Sequence, residues 1–208
     1  NQYDLVIDGF STLGYMCETG IIVQGSTDVQ LMNNCIEECA SGIAAFGSTN
    51  LLIRNNLIEE GSDSGIVLNF DCPDTVIKRN EIEAFSKGIT IYTGCTNFLI
   101  VQNCISSNFF NGIHIAGSPG TISKNEISEG GGEALFVESM ESVVDVTHNL
   151  IVNNMFEGIR FDSADPGSTI TYNTLFNNGN GIVVTMTPGA TIKNNIVSAN
   201  GAQGIDVD

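Results

Sequence analysis

The sequence predicts an all-β fold. It is a right-handed, single-stranded parallel β-helix solenoid of about nine coils, with ~23 residues per coil, three short parallel sheets and an Asn ladder. Three observations predict it. An Asn-x-apolar triplet recurs every 22 to 24 residues. A Gly-apolar pair keeps the same beat between the triplets. No segment shows helical periodicity of useful length. A fixed period over nine repeats is the mark of a solenoid, because each repeat buries its apolar face only against its neighbours.

The triplets begin at Asn34, Asn56, Asn80, Asn103, Asn125, Asn149, Asn173 and Asn195, with Asp8-Gly9-Phe10 standing before them. The paired glycines are Gly20, Gly42, Gly65, Gly88, Gly112, Gly158, Gly181 and Gly204, and Ala134-Leu135 takes the remaining place. After each Gly the chain alternates apolar-x-apolar, as in Ile113, His114 and Ile115, which is strand period with two residues facing inward. A second strand precedes each Asn, with its inward residue three places earlier: Leu31, Ile53, Ile77, Ile100, Ile122, Val146, Ile170 and Ile192. A third short strand starts two places after the Asn. Turns rich in Gly, Asn and Ser divide the three. The Asn itself is expected at a sharp bend in left-handed backbone, which Asn tolerates, with its amide bonding its counterparts in neighbouring coils. Parallel crossovers set the hand to the right.

This Asn stack resembles the asparagine ladder of the pectate-lyase-like superfamily. The wider pattern of NNxI followed by GI is similar to the parallel β-helix repeats of that superfamily and of NosD-like surface and periplasmic proteins. The resemblance covers nearly the whole chain. It implies the fold and leaves the chemistry open, because this scaffold carries many functions. In pectate-lyase-like enzymes the substrate groove lies on the outer face of the sheet that follows the Gly. The outward column two places after each Gly runs Ile22, Ala44, Val67, Thr90, His114, Phe136, Arg160, Val183 and Asp206. The next runs Gln24, Phe46, Asn69, Tyr92, Ala116, Glu138, Asp162, Thr185 and Asp208. The candidate catalytic residues are Tyr92, His114, Glu138, Arg160 and Asp162. Arg160 would hold a carboxylate, His114 or Tyr92 would act as base, and Phe136 would stack on a sugar as a ligand-binding residue. Against this stand the short loops, the lack of the clustered Asp and His motifs of polygalacturonase-like hydrolases or of an epimerase Asp-Pro-His motif, and the lone Arg in the two columns.

The chain carries 7 basic against 24 acidic residues, a net charge of −17. That disfavours nucleic acid as a partner, since phosphate contacts need clustered cations. No apolar run reaches the ~20 residues of a membrane span, so no membrane insertion is expected. No cofactor is required. Carboxylates on stacked loops, Asp71 and Asp74, then Glu138, Glu141 and Asp145, then Asp162 and Asp165, offer Ca²⁺ candidate ligands, although no loop matches a calcium motif. His114 and His148 fall on different strands and form no joint metal site.

Of the six Cys, Cys72 and Cys95 share a column in adjacent coils, as do Cys17 and Cys39. Both pairs are disulfide candidates, with 72–95 the preferred one. Cys35 and Cys104 share a column three coils apart, about 14 Å, too far to bridge. Paired Cys favour an oxidising site: secreted, periplasmic or cell surface. Residues 1–208 are expected to form a single β-helix domain, either a segment of a longer protein or a unit whose copies stack end to end through uncovered terminal coils. Two function classes follow. The favoured one is a non-catalytic extracellular or cell-surface module for structure and assembly, adhesion or glycan binding. The alternative is a polysaccharide lyase or hydrolase acting on acidic glycans in the groove after the Gly column.

Overall fold

The structure, a computed structural model, describes residues 5–138 and 143–208, with 13–16 described by backbone alone. Among the described residues every strand pairs in parallel, and no helix is long and apolar enough to cross a membrane. The nine-stranded sheet holds the strands before each Asn, from Val6–Asp8 to Thr191–Lys193. The other two expected sheets are arms of one sixteen-stranded sheet. They fuse where Ser11–Gln24 and Cys35–Phe46 run unbroken from the Asn bend through the Gly position. Beyond those first coils the arms part into a post-Asn face and a Gly face. The right-handed β-helix of about nine coils is as expected.

Four inward columns make the core. Ile53, Ile77, Ile100 and Ile122 stack along the pre-Asn face, and Ile58, Ile82 and Ile105 along the post-Asn face. Ile66, Ile89 and Ile113, with Leu68, Ile91 and Ile115 beside them, line the Gly face. All are fully buried, which contributes about 1.5–3 kcal/mol each before the entropy of ordering is counted. β-branched Ile suits this role, because its restricted χ1 repeats identically from coil to coil. The Gly column is explained by space. A Cβ on Gly42 would lie 2.3 Å from Ile58 Cγ2 and 2.5 Å from Gly65 O, so two inner columns converge where only hydrogen fits.

The bends correct one expectation. The left-handed residue is the one before each ladder Asn: Asn33, Asn55, Arg79, Gln102, Lys124, His148, Tyr172 and Asn194, at φ 53–58°. That residue turns the chain and points outward. The following Asn then lies along the stack with its amide free to bond. Asn103 shows the pattern. Its Nδ2 donates to Ile77 O at 3.0 Å and Asn125 Oδ1 at 2.9 Å. Its Oδ1 accepts from Asn80 N at 2.9 Å and Asn80 Nδ2 at 3.0 Å. Every donor and acceptor of a 2% exposed amide is used.

Two further ladders hold the other bends. After a second left-handed column, Glu38 through Ala199 at φ 55–61°, Asn108, Asn154, Asn178 and Asn200 accept backbone N–H groups of the preceding coil at 2.9–3.1 Å. At the third bend, side-chain oxygens and sulfurs do the same. Ser48 Oγ accepts from Ser26 N, Cys95 Sγ from Cys72 N, and Ser118 Oγ from Cys95 N.

The cysteines follow from these ladders. Cys17 and Cys39 are disulfide-bonded across adjacent coils, with Cα atoms 4.5 Å apart. Cys72 and Cys95, the preferred expected pair, are free buried thiols. Each sulfur serves the bend backbone: Cys95 Sγ accepts the Cys72 N–H at 3.4 Å and Cys72 Sγ donates to Asn69 O at 3.3 Å. Cys35 and Cys104 are also free.

Candidate functional site

The outer surface of the Gly face carries the candidate residues, and strand pairing sets their order. Thr90 pairs with His114, His114 with Phe136, Phe136 with Arg160, and Arg160 with Val183. Glu138 pairs with Ala116 on one side and Asp162 on the other. All five candidate catalytic positions and Phe136 therefore fall on one patch. A third outward column, just before each Gly, escaped the sequence reading. It supplies Lys87, Asn111, Glu133, Glu157 and Asn180, and the same period run one place earlier would have found it.

His114 is the centre. It is 6% exposed, between the Phe136 ring, stacked at 5.3 Å and 6°, and the Tyr92 ring edge at 6.5 Å. Lys87 Nζ lies 3.1 Å from Nδ1, and Glu138 Oε1 lies 2.8 Å from Nε2. An ammonium only donates, so Nδ1 accepts and the ring is the neutral tautomer whose Nε2–H donates to Glu138. Burial, and then the Lys87 charge, hold the imidazole below its ordinary pKa against the opposing pull of Glu138.

Arg160 completes the patch. Its guanidinium lies over the other face of Phe136, 5.4 Å from the ring centroid. It donates to Asp162 Oδ2 at 3.1 Å, and Glu133 Oε1 lies 3.6 Å away. Asn111 Nδ2 donates to Glu133 Oε2, and Asn180 Nδ2 to Glu157 Oε1, both at 3.1 Å. Most of the arrangement is engaged within itself, but among the described residues Arg160 Nε and Glu157 Oε2 are buried without a hydrogen-bond partner. Both imidazole nitrogens are engaged, both faces of Phe136 are covered, and Arg160 is bracketed by carboxylates. With His114 neutral the patch holds Lys87 and Arg160 against Glu133, Glu138, Glu157 and Asp162, an excess of negative charge. Phe136 has no open face on which a sugar ring could stack. An incoming uronate would meet this excess of negative charge, with Arg160 already facing Glu133 and Asp162.

Among the described residues a concavity lies elsewhere, at the bend between the post-Asn and Gly faces, lined by Glu18, Glu38, Cys39, Glu60, Gly61 and Ala84. Of the calcium candidates, Glu141 lies outside the described residues, and Asp162 is taken up by Arg160. Asp71 and Asp74 sit in a left-handed loop, where Asp74 Oδ1 accepts from Asn97 Nδ2 at 2.6 Å. Asp145 accepts from Thr169, and Asp165 O from the Ser168 N–H. Among the described residues no three His, Cys, Asp or Glu side chains converge as a metal site. His148 lies at the Asn bend, stacked on Tyr172 at 5.1 Å, remote from His114.

A family model described as periplasmic copper-binding protein (NosD) matches residues 4–180 and 121–208. No curated protein matches the chain. Among solved structures, the surface protein and adhesin PfbA of Streptococcus pneumoniae superposes with a TM-score of 0.83 at 16% identity, covering 99% of this chain and 67% of that one. The mannuronan C-5 epimerase AlgE4 A-module of Azotobacter vinelandii superposes at 0.66 and 15% identity, covering 88% and 62%. The periplasmic alginate epimerase AlgG gives 0.68 at 14%, covering 91% and 48%. The chain thus spans between about half and two thirds of the length of these structures. At such identities the likeness is one of fold.

Proposed function

The chain belongs to the NosD family, and from that premise we propose that it works as a non-catalytic β-helix module, a rigid scaffold that binds and positions rather than converts. The family description places it outside the cytoplasm, in keeping with a bonded Cys17–Cys39 pair. One observation carries the reading. Among the described residues, the base-type group of the patch is engaged: His114 Nδ1 meets Lys87 Nζ and its Nε2 meets Glu138, so neither nitrogen is idle toward a substrate proton, while Arg160 Nε and one Glu157 oxygen stay buried without a partner. The fold likeness to a surface adhesin agrees with a binding role.

The family's printed copper-binding description does not fit the donors present. Copper favours thiolate, thioether and imidazole ligands. Among the described residues the two imidazoles lie on different faces, Cys35 bonds Glu37 Oε1 at 3.0 Å, the buried Cys72 and Cys95 are absorbed in a bend ladder, and no three His, Cys, Asp or Glu side chains, the exposed Cys104 included, converge as a metal site. No step is assigned to copper.

A lyase or hydrolase of acidic glycans is the second reading, favoured by the convergence of Tyr92, His114, Glu138, Arg160 and Asp162 on one patch. The test is turnover. Purified protein is incubated with pectate, alginate and chondroitin while unsaturated ends, reducing ends and C-5 inversion are followed. No turnover is expected, with His114→Ala and Arg160→Ala changing stability only. Turnover abolished by either substitution would replace the first reading by the second.

A further inference from the structure

The cations of this acidic chain are not scattered. Five of its seven Lys and Arg residues, Arg54, Lys78, Arg79, Lys124 and Lys193, occupy the two columns immediately before the ladder Asn. Pairing of Met32 with Arg54, Arg54 with Lys78, and onward through Val101, Ser123, Thr147 and Thr171 to Lys193 places one column on a continuous line. The second column is the left-handed one, whose side chains leave the bend outward. From Met32 to Asn194 neither column contains an Asp or Glu. Arg54, Arg79, Lys124 and Lys193 are exposed, as are His148 and Tyr172 between them. Among the described residues none of the five cations makes an ion pair. Arg79 Nε donates to Gln102 Oε1 and Arg54 Nε to Met32 Sδ, both neutral partners.

From this we infer that the Asn-bend edge is a docking ridge for a linear acidic polysaccharide lying along the helix axis. The inference concerns a different face from the His114 patch and goes beyond the module reading by naming a ligand class and a surface. Charge complementarity selects the anion, because a molecule of net charge −17 otherwise repels polyanions and has this one strip to offer. The shape of the strip selects the polymer. It is two residues wide and, at about 4.8 Å per coil, runs about 29 Å from Arg54 to Lys193. Just beyond it stand Glu81 and Glu126 on one side and Asp145 on the other. A flat anionic membrane would face those carboxylates together with the cations. A chain one sugar wide touches the cations and leaves the carboxylates to the flanks. The exposed His148–Tyr172 stack gives a sugar ring an apolar surface on the same line.

The experiment measures binding of fluorescent polyguluronate oligosaccharides by anisotropy, with single-stranded DNA of matched charge and phosphatidylglycerol vesicles as the other arms. Polyguluronate is expected to bind best, with affinity falling about tenfold between roughly 20 and 150 mM salt. Lys78→Gln combined with Arg79→Asn, and separately Lys124→Asn, should each weaken it several-fold, and about tenfold or more together. Asn is chosen because it accepts the left-handed backbone, so these variants keep the fold. Glu126→Gln should tighten binding. No polyguluronate binding, binding unchanged in the combined variant, or stronger capture of DNA or vesicles would overturn the inference. None of these outcomes bears on turnover, which tests the module reading separately.

Discussion

Replacing Asn103 by Ala should destabilise the protein by about 2–4 kcal/mol. The side chain makes four hydrogen bonds, to Ile77 O, Asn125 Oδ1, Asn80 N and Asn80 Nδ2. At about 1 kcal/mol net for each, the gross loss is ~4 kcal/mol. Ala lowers this somewhat, since it has no side-chain entropy to lose and the Asn80 amide can rotate toward another acceptor. The Asn80 N–H cannot rotate away. It stays buried without its partner, which alone costs ~1–3 kcal/mol. Asn103→Asp should cost more at neutral pH, because a carboxylate keeps the two acceptor roles but faces Ile77 O and Asn125 Oδ1 with oxygen and buries a charge. Urea melts followed by circular dichroism read the effect. Because coils couple mainly to their neighbours, amide exchange should show the loss centred on the coils of Asn80, Asn103 and Asn125. A loss below ~1 kcal/mol for Asn103→Ala would mean that the ladder does not hold the bend, and the left-handed residue Gln102 would have to be credited instead.

Further outcomes can be checked in the same preparations. Glu59 stacks in register between Glu37 and Glu83, and burial followed by these like charges raises its pKa. A raised carboxyl favours the folded state more when protonated, so stability should grow as pH falls through the folded Glu59 pKa. Glu59→Gln should abolish that dependence and stabilise at neutral pH, as read by melts across the pH 4–7 region. His114 has the opposite sign. Its depressed pKa means that the unfolded chain binds the proton more readily, so its contribution is present above the ordinary 6.5 and is lost as pH falls below it. The loss should vanish in His114→Gln. The Cys35 thiol is pushed up to about 11, first by its hydrogen bond to Glu37. Alkylation of native protein at pH 8 should therefore be slow at Cys35 and faster in Glu37→Gln. Non-reducing peptide mapping should return Cys17 joined to Cys39. Recovery of all six thiols would remove the redox argument for an oxidising compartment.

The fold was legible because its determinants repeat. One coil of ~23 residues states the strand period, the Gly that admits Ile58 beside Gly65, and the Asn that closes a bend, and the chain repeats the statement about nine times. Register followed at once, so the two outward columns read from the sequence are the columns that pair. What did not repeat was harder to read. The ladder at Asn108, Asn154, Asn178 and Asn200 is broken by Cys39, Gly61, Phe85 and Gly130 in the same column, and a half-occupied column resembles ordinary turn composition. Asn occupies both positions in Asn33-Asn34, Asn55-Asn56 and Asn194-Asn195, so the sequence pattern points to the ladder Asn as the turning residue, whereas Arg79, Gln102, Lys124, His148 and Tyr172 show that the residue before it turns the chain.

The His114 patch shows a deeper limit. Composition and column order found its members, but whether they are idle or engaged depends on side-chain angles. A Lys one column over and one coil back decides the tautomer of His114 and adds to burial in lowering its basicity. The same spacing with Lys87 replaced by Ser, as at Ser64 one coil earlier, would leave Nδ1 open. Lys87→Ser should accordingly raise the His114 pKa toward its ordinary value, since burial would remain while the neighbouring charge is gone. An NMR titration of the imidazole reads the shift. An unchanged His114 titration would show that burial alone holds the ring neutral, and that the closed patch owes nothing to its lysine.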